Sequence, residues 1–445
     1  MSSTASATAA APAGYSEDVF EAFLKERDEP GWLVDRRREA YARLQAFAWP
    51  TLRDEEWRRT NIRAFKPAEF GPPKATEPSA AARAAFDPLW EKLATHYGAG
   101  VAHVDGLAVR KADPSKLGGA ILVDLDAAVR DHPEILKEHL LTDVVKPSDD
   151  VIAAWHAAFW RGGTLLYVPR GVKVETPLFD LVGLSGEARA DFSHTLVVLE
   201  EDAEAAFVRE TASVGRDGAP GLHVGALEVV QKARSKFRLV NVQDWDLATW
   251  NFGRERALIA ADASIQWTIG ALGSRLSKVN QEVVLTGRGA DAQVNGVMFA
   301  TGSQHLAYLT RQDHQAPHTT SDLLYKGGLK DSSRIVWRGM IRVEKDAQRT
   351  DGFQRNDNLV LSDAARSDSI PGLEIEADDV RCTHGATAGR VDEDMVFFCQ
   401  ARGIPRATAV RLIVEGFFAN VYDRVALEPA RETLAAAVAA KLGES

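Results

Sequence analysis

The sequence predicts a mainly β body of stacked coils with helical regions on both sides. Three observations carry that prediction. Between residues 161 and about 401, short runs of β-branched and aromatic residues alternate with turns, and long helical patterns are missing. One turn chemistry recurs along this zone: an apolar triplet, an acidic or Gly-containing turn ending in Asp-Ala, then another strand. Outside it, apolar residues recur at the three- and four-residue steps of a helix. The chain divides accordingly into a tail (1–14), a mostly helical region (15–150), a β region (151–402) and a C-terminal helical region (403–445).

The tail "MSSTASATAAAPAG" reads as disordered. It lacks the basic n-region and the continuous apolar core of a signal peptide, and it has no Arg for a transit peptide. The helical region opens with "SEDVFEAFLKERDEP", where a Ser precedes acidic residues as a helix start requires. Four further helical segments follow: "PGWLVDRRREAYARLQAFAWP", "PSAAARAAFDPLWEKLATHYG", "AAVRDHPEILKEHLL" and "SDDVIAAWHAAFW". "VAHVDGLAVRK" reads as a strand pair among them.

The β region begins at "RGGTLLYVPRGVKVETP". Its repeated turn falls at Asp202-Ala203, Asp262-Ala263, Asp291-Ala292, Asp346-Ala347 and Asp363-Ala364, with a looser copy at Asp378-Asp379. A turn that recurs between short strands favours coils that bury their inner faces on one another. A β-sandwich is the competing arrangement. In the last region Pro405 suits a first helical turn, and Val410, Ile413, Phe417, Val421 and Val425 share one stripe. A second helix repeats Leu434, Val438 and Leu442. This pair either packs back on the β body or offers an apolar face to another protein, and helical ends are expected to cap the coil stack.

Composition narrows the function. The 445 residues carry a formal net charge of -10 and only two cysteines. The acidic balance disfavours nucleic acid and anionic membranes, and the cysteine count excludes a disulfide framework. No apolar run approaches the roughly 20 residues of a membrane span. A cytoplasmic location is expected. GxxxxGK(S/T), HExxH, GxSxG and CxxC are all missing, so no nucleotide loop or conventional zinc site is expected.

The two cysteines lie in "VRCTHGATAGRVDEDMVFFCQARGI". On a strand, Cys382 and His384 share a face about 7 Å apart, close enough for both side chains to converge on one soft metal or cluster. Set against this, a Cys is often a small buried hydrophobe and a neighbouring His a core residue. Cys399, 17 residues on, reads as core. An iron–sulfur cluster needs about four protein ligands. This chain cannot supply them alone, so a metal role for Cys382 and His384 requires an interface. His314 and His318 are four residues apart, but surrounding strands make them turn or interface residues. Trp57, among charges in "RDEEWRRTNI", reads as a residue that packs or recognises a partner, with packing favoured.

These segments together resemble the SufB/SufD family of the SUF iron–sulfur cluster assembly system, over nearly the whole chain after the tail. The resemblance rests on "GGTLLYVPRGVKVETPL", "DHQAPHTTSDLLYKGGLKDSSRIVWRGMIRV" and "NLVLSDAARSDSIPGLEIEADDVRCTHGATAGRVDEDMVFFCQARGI". "DEEWRRTNI" is similar to a motif on the SufD side. SufB-like chains carry a cysteine near the position of Ala365 and a glutamate after the late histidine, where this chain has Gly385. The "CTHGAT" form is similar to the SufD pattern.

The resemblance implies a right-handed parallel β-helix flanked by N- and C-terminal helical parts. It implies a heterodimer with a SufB-like paralogue through strands near the end of the β-helix. Cys382 and His384 would there face a nascent iron–sulfur cluster shared with the partner chain. It also implies that the C-terminal helices, with Val410, Ile413, Phe417 and Val421, dock a SufC-like ABC ATPase. Reduced flavin is linked with the family's complex, but no flavin motif stands in this sequence. A homodimer in isolation and a SufB-like homodimeric scaffold are the alternatives within the family. A β-helix carbohydrate-active enzyme and a self-polymerising β-helix are those outside it.

Overall fold

The computed structural model describes residues 11–74, 77–186, 189–216 and 218–443; the expected tail therefore lies largely outside the described residues. Six helices fall in the first part: α1 (Glu17–Lys25), α2 (Gly31–Ala46), α3 (Ala80–His96), α4 (Leu125–Asp131), α5 (Pro133–His139) and α6 (Val151–Phe159). The expected strand pair is an antiparallel hairpin, β1 (Gly100–Val104) and β2 (Leu107–Arg110). A strand that sequence reading misses, β3 (Ile121–Asp124), follows it.

Seventeen strands then run to residue 390. They are β4 (Gly163–Val168), β5 (Leu178–Ser185), β6 (Ala190–Asp191), β7 (His194–Leu199), β8 (Glu204–Val214), β9 (Gly221–Gln231), β10 (Lys236–Asp244), β11 (Thr249–Ile259), β12 (Ser264–Ala271), β13 (Leu276–Leu285), β14 (Asp291–Ala300), β15 (His305–His314), β16 (Thr320–Leu329), β17 (Arg334–Val343), β18 (Asp351–Val360), β19 (Arg366–Ile375) and β20 (Arg381–Arg390). From β7 on they alternate between two parallel sheets. One sheet stacks β5, β8 and the even strands to β20; the other stacks β4, β7 and the odd strands to β19. The body is a parallel β-helix of about eight turns, not a sandwich. Register sets the coil length: Trp250 lies opposite Leu276, 26 residues on, and Arg334 opposite Arg366, 32 residues on.

The recurring turn has a physical basis. At the corner entering the even strands, Asp202, Arg234, Asp262, Gly289, His318 and Arg349 all have positive φ, between 55° and 74°. Each donates its N–H to a carbonyl of the next coil's corner, as Asp202 does to Ala233 and Asp262 to Arg288. The small residue beside or just after it turns inward and is buried: Ala203, Ser235, Ala263, Ala290, Thr319 and Thr350. The repeat is therefore a left-handed residue plus a small one, and Asp-Ala is only one way to write it. Asp291-Ala292 sits two residues past the corner, and Asp363-Ala364 lies at the opposite corner, between β18 and β19.

The interior is filled by apolar and aromatic ladders that include Phe237, Trp267, Tyr325 and Trp337. α6 packs on the outer faces of β9 and β11 and is itself covered by α2. α3 packs on β5 and β8. Sequence reading ends the β region near residue 401 and expects a helical pair. The structure instead ends the last strand at Arg390 and has three helices: α7 (Glu393–Gln400), α8 (Arg406–Tyr422) and α9 (Glu428–Leu442). The Asp392 carboxylate accepts the N–H groups of Asp394 and Met395, so it caps α7 and converts "MVFFCQ" from strand to helix.

The helices do not cap both ends of the stack. α8 lies along β14 and β16, and α9 along β14, on the side of the even sheet. Leu434 of α9 sits directly over Gly270, where a Cβ would come within 2.4 Å of it. The first coil is closed by the β1–β2 hairpin on one sheet and antiparallel β3 on the other. The last coil, β19 and β20, has no further strand on either sheet among the described residues.

Candidate functional site

Cys382 and His384 stand on β20, in register with Gly352 and Gln354 of β18. Register partners in a parallel sheet point to one side. Gln354 is fully buried, and a Cβ on Gly352 would meet Ile341 at 3.2 Å and the Cys382 Sγ at 3.3 Å. Both residues therefore face the axis of the β-helix. His384 is nonetheless exposed and Cys382 only half-buried, because nothing is stacked on the last coil. They emerge at the open end, not on a flank.

Cys382 packs on Ile341, Val343, Ala347 and Ala377, with Val380 beside it. Burial pushes its thiol up, helped by the Asp351 carboxylate, while the hydrogen bond with Gly352 opposes the shift. The resting group is thus a thiol, and a metal must displace a proton to bind it. Leu373 and Ile375 on β19 complete the rim. They are in register with fully buried Ile341 and Val343, yet stay 37% and 40% exposed. The site is a ring of inward-facing apolar residues holding one thiol and one imidazole, framed by two unpaired strand edges. Among the described residues no group of three His, Cys, Asp or Glu is placed to hold a metal ion.

The structure keeps the other candidates apart from this site. Cys399 is half-buried on α7. His314 is buried, with Nδ1 2.7 Å from Thr319 Oγ1 and Nε2 2.8 Å from Ser321 Oγ. His318 occupies the corner with φ 61°. Trp57 packs on Phe252 and under the Lys278 ammonium. Ala365 is half-buried against the core, and Gly385 points outward beside Arg355 with open space around it.

Of the four α8 residues, Val421 is fully buried against the β-helix, and Val410, Ile413 and Phe417 are half-buried. The Phe417 ring lies 4.4 Å from Lys326 Nζ. The stripe thus turns mostly toward the body. On the described C-terminal helices the exposed large apolar side chains are Met395, Phe397 and Phe398 on α7 and Leu412 on α8. Sequence reading passes over the first three because a Phe pair beside a Cys reads as core.

Fold and site together define a class: a β-helical scaffold with one sealed end and one open end that presents thiol, imidazole and unpaired backbone. The family description "SUF system FeS cluster assembly, SufBD core domain" matches residues 182–417, and "SufBD protein N-terminal region" matches residues 20–179. The chain belongs to the SufBD family of iron–sulfur cluster assembly proteins. It is 27% identical to "Iron-sulfur cluster assembly protein SufB" of Bacillus subtilis, over 94% of this chain and 91% of that protein. It is 28% identical to an "Iron-sulfur cluster assembly SufBD family protein" of Staphylococcus haemolyticus over the same shares. Among the described residues no helix is long and apolar enough to cross a membrane.

Proposed function

We propose that this chain is a non-enzymatic scaffold subunit of the SufD type, which completes a cluster-assembly site by pairing its open end with a SufB-like chain. The observation that carries this is the pair Cys382 and His384, aimed along the β-helix axis at an uncovered coil. A partner strand added to β19 or β20 satisfies their free N–H and C=O groups, covers Leu373 and Ile375, and supplies the missing ligands. The nascent cluster is then cargo, held between chains and released. Neutral imidazole suits borderline metals and thiolate suits soft ones. Ala365 and Gly385 favour the SufD side of the family over the SufB side.

A SufC-like ABC ATPase docks on the C-terminal helices in this reading. Met395, Phe397, Phe398 and Leu412 join the half-buried Val410, Ile413 and Phe417 as its contact surface. Hydrolysis moves α7–α9, and α8 and α9 pass that motion to β14 and β16, opening the paired end to iron and sulfide. The deciding experiment is reconstitution with His384→Ala in the co-expressed complex. Complex formation is expected to persist while cluster yield falls; wild-type yield would refute the role of His384.

A further inference from the structure

Where the N-terminal helices dock on the β-helix, three fully buried ionisable side chains form one hydrogen-bonded chain. His156 of α6 has Nδ1 2.7 Å from the Val224 carbonyl. Its Nε2 is 3.0 Å from Nδ1 of His194 on β7. The Nε2 of His194 is 3.0 Å from the carboxylate of Glu228 on β9. Glu228 also accepts the N–H groups of Leu141 at 2.9 Å and Val145 at 2.8 Å, in the loop after α5.

The donors can be counted. A carbonyl only accepts, so His156 Nδ1 carries a hydrogen. The two remaining links then need one hydrogen each. Three arrangements supply them: His194 as imidazolium, His156 as imidazolium, or Glu228 as the acid. Each has one proton more than two neutral imidazoles and a carboxylate. Without it, two lone pairs face each other in a site with no water exposure. Burial and the neighbouring His194 hold His156 well below its ordinary value, which disfavours the arrangement with His156 as imidazolium. Other titratable or charged groups facing the chain are Arg36 and Arg37 from α2, His139 from α5 and His223 from β9.

We infer that this chain is a proton-dependent lock: closing the 139–146 loop and α6 onto the β-helix takes up one proton. Once opened to water above about pH 7, two imidazoles are neutral and the carboxylate is charged. The open state then binds one proton fewer than the closed state, so closure weakens as pH rises. The inference is independent of the cluster site.

The test is peptide-level hydrogen exchange of residues 139–146 in the full chain from pH 7 to 9, corrected for intrinsic exchange. In the wild type the opening constant is expected to rise about tenfold per pH unit. In Glu228→Gln the amide N–H serves His194 Nε2 and the amide oxygen still accepts from Val145, while the Leu141 N–H loses its acceptor. The links need no extra proton, so opening is expected to be more frequent at every pH and its slope to vanish. A flat wild-type profile, or equal slopes in both proteins, overturns the lock. If the variant does not fold, the wild-type slope alone decides.

Discussion

At the residue scale, the chemistry follows from where each ionisable group meets water. His384 reaches solvent only because no coil lies beyond it, whereas Gln354, its register partner one coil earlier, is fully buried. Cys382→Ser is expected to leave stability within about 0.5 kcal/mol, since the coil end is half-open. Loss of a soft ligand from the partnered complex is the expected effect, read as reduced iron retention. His314 gives the pH prediction. Burial lowers it to about 4, so the folded state excludes a proton that the unfolded chain binds below about pH 6.5. Stability attributable to His314 is full above that value and falls as pH drops toward 4, by up to about 3 kcal/mol. Denaturant melts at pH 7 and 4.5 should show a smaller acid loss for His314→Gln than for the wild type.

At the scale of elements, α8 and α9 are held by a continuous apolar contact with the even sheet. Ala409, Val414, Phe418, Val421, Leu434 and Val438 are buried there, and Gly270 leaves room for Leu434. Leu434→Ala is expected to cost about 2–5 kcal/mol. Limited proteolysis should then cut near residues 423–427 before the β-helix is touched. The opposite behaviour is expected of α7. Phe397 and Phe398 are 71% and 57% exposed. Changing both to Ser should leave the melting temperature unchanged and abolish capture of the proposed SufC-like ATPase; retained capture would remove α7 from the proposed docking surface.

At the scale of the molecule, the β-helix is directional. The β1–β2 hairpin and antiparallel β3 lie over the first coil, and the last ends in two unpaired edges beside an apolar rim. Exposed, unpaired edges are templates for another chain. Leu373→Lys with Ile375→Lys is therefore expected to spare the fold of the isolated chain and block pairing with the proposed SufB-like partner in size-exclusion chromatography. Pairing that survives both charges would place the interface elsewhere.

The sequence by itself determined the division into helical flanks and a β body, a recurring turn that favours stacked coils, and the pairing of Cys382 with His384 on one strand face, but not β3 or α7. Those properties are local or periodic: the two-residue alternation of a strand, the spacing of a helix, a small residue after a left-handed corner. The tertiary structure alone decided which end is open, that α8 turns Val421 inward, and that Asp-Ala marks only some corners. It also assembled His156, His194 and Glu228, which lie 38 and 34 residues apart and carry no motif. Such features depend on which surfaces are covered by distant parts of the chain. Burial is a property of the finished packing, and no short-range pattern encodes it.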